Sequence, residues 1–581
     1  MSLNIALGIA TAGLRTSSTE VGIVSQNITN ADTEGYTKRR YETDLFTSAD
    51  VLLPSGGRSV SIRNSFLERS LIDDSSLAFK DLVMADSLTG YQARLGSTGG
   101  GSSMSAILND FNNGLIQLSS NPDDINIKYS IIENAEQLTA SIRAANNSIQ
   151  DLRTQADKGI AKSIDSVNES LAAIADLNAK IVRAEGSGND ASNFEDQRFI
   201  ELQKLSQSMD INYFVNSNNE VRIYSPSGVS LVGAGNSVYT YNFTPTSPIT
   251  SDLAYPGTLS GISLNGVDAT SDFRSGSING YLELRDVVYV EEQEKLNEFS
   301  AQLEEQLNAA SNQGTAIPVR NSLIGDEEGL TLADPVTATG FARIATVDAN
   351  GIAQSFVDVD LSTAATVGDL VALFNSVPGV TAALNADGAL VVTATNPAEG
   401  IAMNALDGQV GPNNRNLSHF FGLNNIITQT DARNVRVSDY LTANPLYLPS
   451  NYLSNDPALA VGDQAISVSN NTAVNLMSDS LTGNTTNFAA AGNFAAQTNS
   501  LISYANSFIS NAASRASNAD ISANITDIAY QTSRTTLGNQ TGVNVDEETA
   551  RLLELENAYQ SSALIIQTVR DLFDTLIGAV N

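Results

Sequence analysis

Ser25-Gln26-Asn27-Ile28-Thr29-Asn30-Ala31-Asp32-Thr33-Glu34-Gly35-Tyr36-Thr37-Lys38-Arg39-Arg40 closes the first forty residues, and this stretch with the run leading into it decides the fold. Leu7, Leu14, Val21 and Ile28 recur every seventh residue, while Leu3, Ala10, Ser17 and Val24 fill the intermediate slots of the same stripe. That period belongs to a helix that supercoils about a partner. After Ile28 the helix should stop, because Asn27, Asn30 and Asp32 compete for backbone hydrogen bonds and Gly35 can take the positive φ of a terminating turn.

The partner lies at the other end of the chain. Val545, Leu552, Tyr559, Ile566, Phe573 and Val580 repeat at the same spacing, Leu555, Val569 and Leu576 complete the seam, and Glu548 and Ser562 interrupt it. Asn544 reads as an N-cap, with Glu547 placed as in a capping box and Asp546 and Glu548 near the positive helix end. At 1.5 Å per residue this helix would run roughly 55 Å. Two such stripes at opposite ends of a globular middle suggest a coiled-coil base from which the chain folds outward and to which it returns, either as an intramolecular hairpin or together with neighbouring subunits. Burying a seam residue contributes roughly 1.5–3 kcal/mol and ordering a backbone residue costs roughly 1–2 kcal/mol. With about three apolar positions in seven these nearly cancel for a lone pair, so the ends are expected to be disordered in the isolated monomer and to order on assembly.

The residues also carry a resemblance. Ser25 to Tyr36 resembles the S-x-N-I-x-N-x-x-T-x-G-Y signature shared by flagellar rod, hook and hook-associated proteins. The tail Gly542-Val543-Asn544-Val545-Asp546-Glu547-Glu548, with Tyr559-Gln560 and Leu572-Phe573-Asp574-Thr575-Leu576-Ile577, is similar to that of the hook-associated family of the hook–filament junction, the FlgK family. Leu108–Phe111 through Leu118–Asp123, Asn193–Arg198, Arg285-Asp286 and Leu417–Asn425 resemble the same family. Lys128 stands where the family often has Arg, Phe194 and Glu195 depart from its usual form, and its customary His is replaced within Asn308–Gly314. The resemblance implies a structural, secreted axial subunit that self-associates in a ring or helical assembly, with hook protein and an adjacent hook-associated protein or the filament as neighbours. It places the polymerisation and partner-binding surface on Leu7, Leu14, Val21, Asn27, Ile28, Asn30, Gly35 and Tyr36, and on Val545, Leu552, Leu555, Tyr559, Ile566, Val569, Phe573 and Leu576. The exposed C-terminal stripe is also expected to bind a cytoplasmic export chaperone as a helix in a groove.

Composition narrows the alternatives. The chain has 581 residues, ample for several cores. Its 31 Lys and Arg against 64 Asp and Glu give a formal charge of -33. That sign repels nucleic acid and anionic lipid, so neither is expected as a partner. There is no Cys and a single His, which excludes disulfides and thiolate metal sites; no metal or cofactor is expected. The N-terminus lacks a basic n-region and no apolar run approaches a membrane span. The resemblance implies export through the flagellar secretion channel and a place in the bacterial flagellum, at the hook–filament junction.

The expected fold class is α+β multidomain, with four parts: a terminal coiled-coil domain (1–45 with 543–581), a mainly helical shaft (46–210 with 278–315 and 416–542), a small β-rich domain (211–277) and an inserted α/β outer domain (316–415). Lys38-Arg39-Arg40 reads either as a solvated face or as a contact with acidic surface on an adjacent subunit. Residues 41–63 read as a β excursion turning at Pro54-Ser55-Gly56-Gly57. A helix over 65–95 ends at the glycine-rich run 96–101, which lacks the Lys and preceding strand of a phosphate cradle. Long helices over 104–185 break at Asn121-Pro122-Asp123-Asp124. Short β runs fill 211–275, and helix returns over 280–310. A strand at 355–360, a helix at 367–375 and a hairpin over 380–395 around Asn385-Ala386-Asp387-Gly388 resemble a unit of flagellins and hook-type proteins. Residues 426–470 read as irregular and 485–540 as an Ala/Ser/Asn-rich helix.

An enzyme is the rival class, for example a secreted hydrolase with a carboxylate pair. Asp73-Asp74, Asp123-Asp124 and Glu304-Glu305 are adjacent in sequence at helix surfaces or caps, where solvated charge is the natural reading. Asp196 and Arg198 read as a structural ion pair or cap and His419 as a packed or surface residue, so no catalytic residue is expected. The nearer rivals are hook protein and flagellin. The long helical region 104–210 disfavours the first, and the Asn-x-x-Thr-x-Gly-Tyr motif the second.

Overall fold

The computed structural model describes residues 3–48, 51–97, 101 and 103–580. The chain forms two compact units, one built from 1–87, 154–286 and 517–581, the other from 88–153 and 287–516. The fold is α+β, with thirteen α-helices and several two- and three-stranded antiparallel sheets among the described residues.

In the first unit, α1 (Leu3–Thr29) leads into the antiparallel pair β1 (Arg39–Ser48) and β2 (Val51–Ser61), then α2 (Ser65–Leu95). Pro54–Gly57 lies inside β2 rather than at the turn: Leu45 pairs with Pro54 and Asp44 with Gly56, and a register shift absorbs the extra residue. Residues 49–50, between the two strands, lie outside the described residues, as do Thr98, Gly99 and Gly100 of the glycine-rich run. The 62-residue α4 (Ile125–Gly186) is shared between the units, followed by α5 (Ser192–Ser208). Two small sheets follow, β3 (Asn212–Val215), β4 (Val221–Tyr224) and β5 (Ser230–Val232), and β6 (Tyr241–Asn242), β7 (Ser263–Leu264) and β8 (Val267–Asp268). They close over a core of Leu71, Ile164, Leu171, Phe199, Leu205, Ile223 and Tyr241. Helix α6 (Gly276–Glu283) passes through one π-helical turn at Leu284–Val288 into α7 (Tyr289–Ser311).

In the second unit, α3 (Met104–Ser120) is capped by Ser103, whose hydroxyl accepts from Ala106 N, and it ends before Pro122, which cannot continue it. Asp124 restarts the chain as α4 by accepting from Asn126 N at 2.8 Å. A Cβ on Gly114 would stand 2.9 Å from Ile131, so the glycine lets α3 and α4 approach closely. The inserted region holds β9 (Ser322–Ile324), β10 (Ala338–Thr339), β11 (Phe341–Asp348), β12 (Ala353–Asp360), α8 (Val367–Asn375), β13 (Val380–Leu384), β14 (Leu390–Ala394), β15 (Glu399–Asn404) and β16 (Gln409–Val410). Its strand–helix–hairpin unit forms where the sequence placed it. Thr366 and Asp369 make a capping box for α8, and Asn385 Oδ1 accepts from Asp387 N and Ala389 N in the hairpin turn. Then come α9 (Leu417–Phe421), β17 (Ile427–Thr428), β18 (Arg436–Val437), α10 (Asp439–Ala443) and α11 (Thr472–Thr482).

The helix expected from 485 begins only at Leu501, as α12 (Leu501–Thr541). Residues 486–499 instead pair as β19 (Thr486–Phe488) and β20 (Gln497–Asn499), where Phe488 and Phe494 pack on the ring of Tyr504. Aromatic packing outweighs the helix propensity of the alanines there. The chain ends with α13 (Val545–Val580).

Candidate functional site

Helices α1 and α13 pack along one another. Ala10, Ser17 and Val24 are buried in the seam, while Leu7, Leu14, Val21 and Ile28 flank it half-buried. On α13, Val569 is buried, and Leu552, Leu555, Ile566 and Phe573 are half-buried; Val545, Tyr559 and Leu576 remain exposed. Ser562 faces Gly13, where a Cβ would meet its Oγ at 3.2 Å. Gly13 thus faces a small residue on the other helix, and the apparent break at 562 is a close contact of the pair. Both helices are formed in this structure, and a polar knot closes the base of the pair.

Asn27, fully buried, is the centre of that knot. Its Nδ2 donates to the Arg39 carbonyl at 2.9 Å and to Glu548 Oε2 at 2.9 Å, and its Oδ1 accepts from Tyr36 Oη at 2.9 Å and Arg39 N at 3.0 Å. All four hydrogen-bonding positions of one carboxamide are therefore used. Glu548, the other apparent interruption of the seam, is 1% exposed and pairs with Lys38 Nζ at 2.9 Å. Burial pulls the Lys38 ammonium down, but the Glu548 carboxylate more than offsets this, so the group lies above its ordinary range. Asn544 caps α13 by accepting from Asp546 N and Glu547 N, and the Glu547 carboxylate turns toward Lys38.

The loop between α1 and β1 is held from the other side. Thr37 donates from its hydroxyl to Asp196 Oδ1 at 2.6 Å, and Asp196 also faces Arg39 at 3.5 Å and Arg63 at 3.6 Å. Burial raises the Asp196 carboxyl above the usual range, and the Thr37 hydrogen bond and Arg63 and Arg39 only partly counter it. Arg39 donates to Asn193 Oδ1 at 2.6 Å and lies 4.8 Å from the centre of the Tyr36 ring. Lys38 N donates to the Thr541 carbonyl at 2.7 Å, tying the loop to the end of α12. Gly35 sits at φ +76°, and a Cβ there would stand 2.6 Å from Ile200 of α5. Asn30 is half-buried and serves the helix end, its Nδ2 donating to the Gln26 carbonyl.

Of the basic cluster, Lys38 and Arg39 are neither a solvated face nor free for a neighbour, since their carboxylate partners lie in the same chain; only Arg40 is exposed. Asp196 and Arg198 do not pair with each other. Arg198 donates to Asn178 Oδ1 and the Asn219 carbonyl, and burial lowers its pKa to about 10. Sequence reading missed Glu548 as a partner, although an acidic residue at a seam position was the signal available.

The carboxylate pairs have structural partners. Asp74 accepts from Ser70 and Ser533, Asp124 caps α4, and Glu305 pairs with Arg415, which also reaches Glu327 at 3.2 Å. Burial lifts Glu304 to about 7 and, near Arg320, Asp326 to about 7 as well. His419 is buried 3.9 Å from Glu305, and burial lowers it to about 4, leaving a neutral imidazole at neutral pH. Buried Lys128 is likewise lowered, by desolvation. Among the described residues no cluster of His, Asp and Glu has metal-binding geometry, and no helix is long and apolar enough to cross a membrane.

Residues 94–321 match the family model described as the flagellar hook-associated protein FlgK helical domain, and residues 539–579 match the flagellar basal body rod FlgEFG protein C-terminal model. Flagellar hook-associated protein 1 of Bacillus subtilis is 24% identical over 315 residues, covering 50% of this chain and 62% of that protein. The Escherichia coli protein of the same name is 25% identical over 233 residues (38% and 42%), and that of Salmonella typhimurium 24% over 316 residues (52% and 56%). The matches thus span less than two thirds of each relative. The flagellar hook junction protein FlgK from Burkholderia pseudomallei aligns in structure with a TM-score of 0.49 at 13% identity, over 80% of this chain and 99% of that one.

Proposed function

We propose, for a chain of the FlgK family of flagellar hook-associated proteins, that it is a secreted structural subunit of the bacterial flagellum that polymerises at the hook–filament junction and connects hook to filament. One observation carries the reading. The packed pair α1 and α13, locked at its base by Asn27 and Glu548, leaves Leu564, Ile565, Leu572, Leu576 and Ile577 of α13 exposed, of which Ile565, Leu572 and Leu576 line up in a row of their own. Exposed apolar side chains gathered on one helix of an acidic chain are an interaction surface. The terminal pair is the coiled-coil polymerisation domain, through which copies self-associate in a ring or helix.

Hook protein on one side and an adjacent hook-associated protein or the filament on the other are the neighbours in this reading. Before export, the same α13 row occupies the groove of a cytoplasmic chaperone. The helical shaft stacks laterally, and the β-rich parts, 211–277 and 316–415, face outward. The role is structural and involves no catalysis or cofactor.

Deleting residues 552–581 in the source cell tests the function. Non-motile cells whose hooks lack filaments, with filament subunits lost to the medium, are expected; normal filaments would overturn the reading.

A further inference from the structure

In an Asn-Gly pair the backbone can turn on its own side chain, because glycine has no Cβ to hinder the approach of its nitrogen to the asparagine carboxamide. The chain contains four such pairs: Asn113-Gly114, Asn265-Gly266, Asn279-Gly280 and Asn350-Gly351. The fold ties down three of them. Asn113-Gly114 lies inside α3 and Asn279-Gly280 inside α6, so their glycine nitrogens sit in helical hydrogen-bond ladders, and both glycines are buried. Asn279 Nδ2 also donates to the Phe273 carbonyl at 2.8 Å. Asn350 is exposed, but Gly351 is buried against Ile466 and its nitrogen donates to the Asp348 carbonyl at 3.0 Å.

The fourth pair differs. Asn265 and Gly266 form the two-residue turn between β7 and β8, with φ of +54° and +79°, the positive values that such a hairpin turn requires at both positions. Both residues are exposed, a Cβ on Gly266 would meet nothing within 4 Å, and the Gly266 N–H has no acceptor among the described residues. The flanking strands are two residues each and Val267 is 70% exposed, so little free energy opposes opening of this tip.

We propose that Asn265 is a site of spontaneous covalent modification, with water as the co-reactant. The Gly266 amide gives up its proton and its nitrogen attacks Asn265 Cγ. The N–Cγ bond forms, the Cγ–Nδ2 bond breaks and ammonia leaves, giving a five-membered imide. Water then opens the ring: cleavage at Cγ leaves Asp at 265, and cleavage at the backbone carbonyl leaves isoaspartate, in which the chain runs through Cγ. Overall a water enters, an ammonia departs, and nothing is oxidised or reduced. Either product adds a carboxylate three residues from Asp268. The iso product also lengthens the backbone by a methylene, which a two-residue turn holding Leu264 opposite Val267 cannot absorb without loosening. The disturbance stays at the tip, because Ala269 N donates to the Ile262 carbonyl and Ile262 N to Thr270 Oγ1, each at 2.8 Å, and these bonds pin the base of the hairpin.

The test holds the purified full-length chain in mildly alkaline buffer, native in one arm and in concentrated urea in the other, and follows its peptides by mass spectrometry, with isoaspartate told from Asp by fragmentation. In the native chain Asn265 should convert at least about tenfold faster than Asn113, Asn279 or Asn350, since those three need local opening first. In urea every Asn-Gly pair is solvated alike, and the four rates should converge. Conversion of Asn350 or of either helical pair in step with Asn265 in the native chain would overturn the proposal. So would a native order of rates that persists in urea, because the flanking sequence rather than the fold would then select the site.

Discussion

Asn27→Ala removes the carboxamide at the centre of the knot. Three neutral hydrogen bonds are lost, two with the backbone of Arg39 and one from Tyr36, together with one donated to the Glu548 carboxylate. Neutral bonds contribute about 0.5–1.5 kcal/mol each and bonds to charged groups about 1.5–3 kcal/mol. Part of this is recovered, because Tyr36 is only half-buried and Glu548 keeps Lys38. The buried N–H and carbonyl of Arg39 are left unpaired, so the net loss should be about 2–4 kcal/mol of local stability. Hydrogen exchange followed by mass spectrometry on the purified chain reads this directly. Peptides covering 20–40 and 541–552 should exchange about 30- to 1,000-fold faster, at tenfold per 1.4 kcal/mol, while the second unit is unchanged. Asn27→Asp should cost more at neutral pH, because it sets a second carboxylate beside Glu548. Acceleration of less than about threefold in Asn27→Ala, or acceleration spread evenly over both units, would refute the role of Asn27 as the lock of the terminal pair.

Gly35→Ala should destabilise the first unit by about 1–2 kcal/mol in urea unfolding, since a Cβ at φ +76° is strained and presses on Ile200; Ile200→Val in the same chain, which removes Cδ1 but keeps Cγ1 at 2.7 Å, should restore only a fraction of the steric part. The second unit should lose stability as pH rises through 7: Glu304 and Asp326 bind protons up to about 7 when folded but only to near 4 when unfolded, so their contribution is present at pH 4 and gone above 7. His419 opposes this at lower pH, since its buried neutral form adds stability above about 6.5 that is lost as pH falls toward 4. Between pH 6.5 and 7.5 the carboxyls should dominate, and Glu304→Gln should flatten the urea midpoint there; an unchanged slope would refute the assignment. Leu572→Asp, on the exposed row of α13, should abolish capture by the cytoplasmic export chaperone with both units still folded, as judged by co-purification and circular dichroism; persistent binding would place the chaperone elsewhere.

The local pattern alone determined the elements at both ends of the chain. A period of 3.5 residues marks α1 and α13, Asn544 begins the latter, Asn121–Asp124 divides α3 from α4, and Asn385–Gly388 sets the hairpin between β13 and β14. Each of these signals lies within a few residues of the structure it specifies, and so it can be read in sequence. Tertiary structure decided the rest. Glu548 and Ser562 looked like defects in a seam, yet one closes a buried hydrogen bond to Asn27 across 521 residues and the other faces Gly13 at the helix contact. Lys38 and Arg39 looked like a surface cluster, yet Asp196 and Glu548 neutralise them from distant parts of the chain. The strands at 486–499 replace an expected helix because aromatic rings of that segment find Tyr504. Periodicity records which face of a helix is apolar. Which polar group a buried charge meets depends on contacts between segments far apart in sequence, and these exist only once the chain has folded.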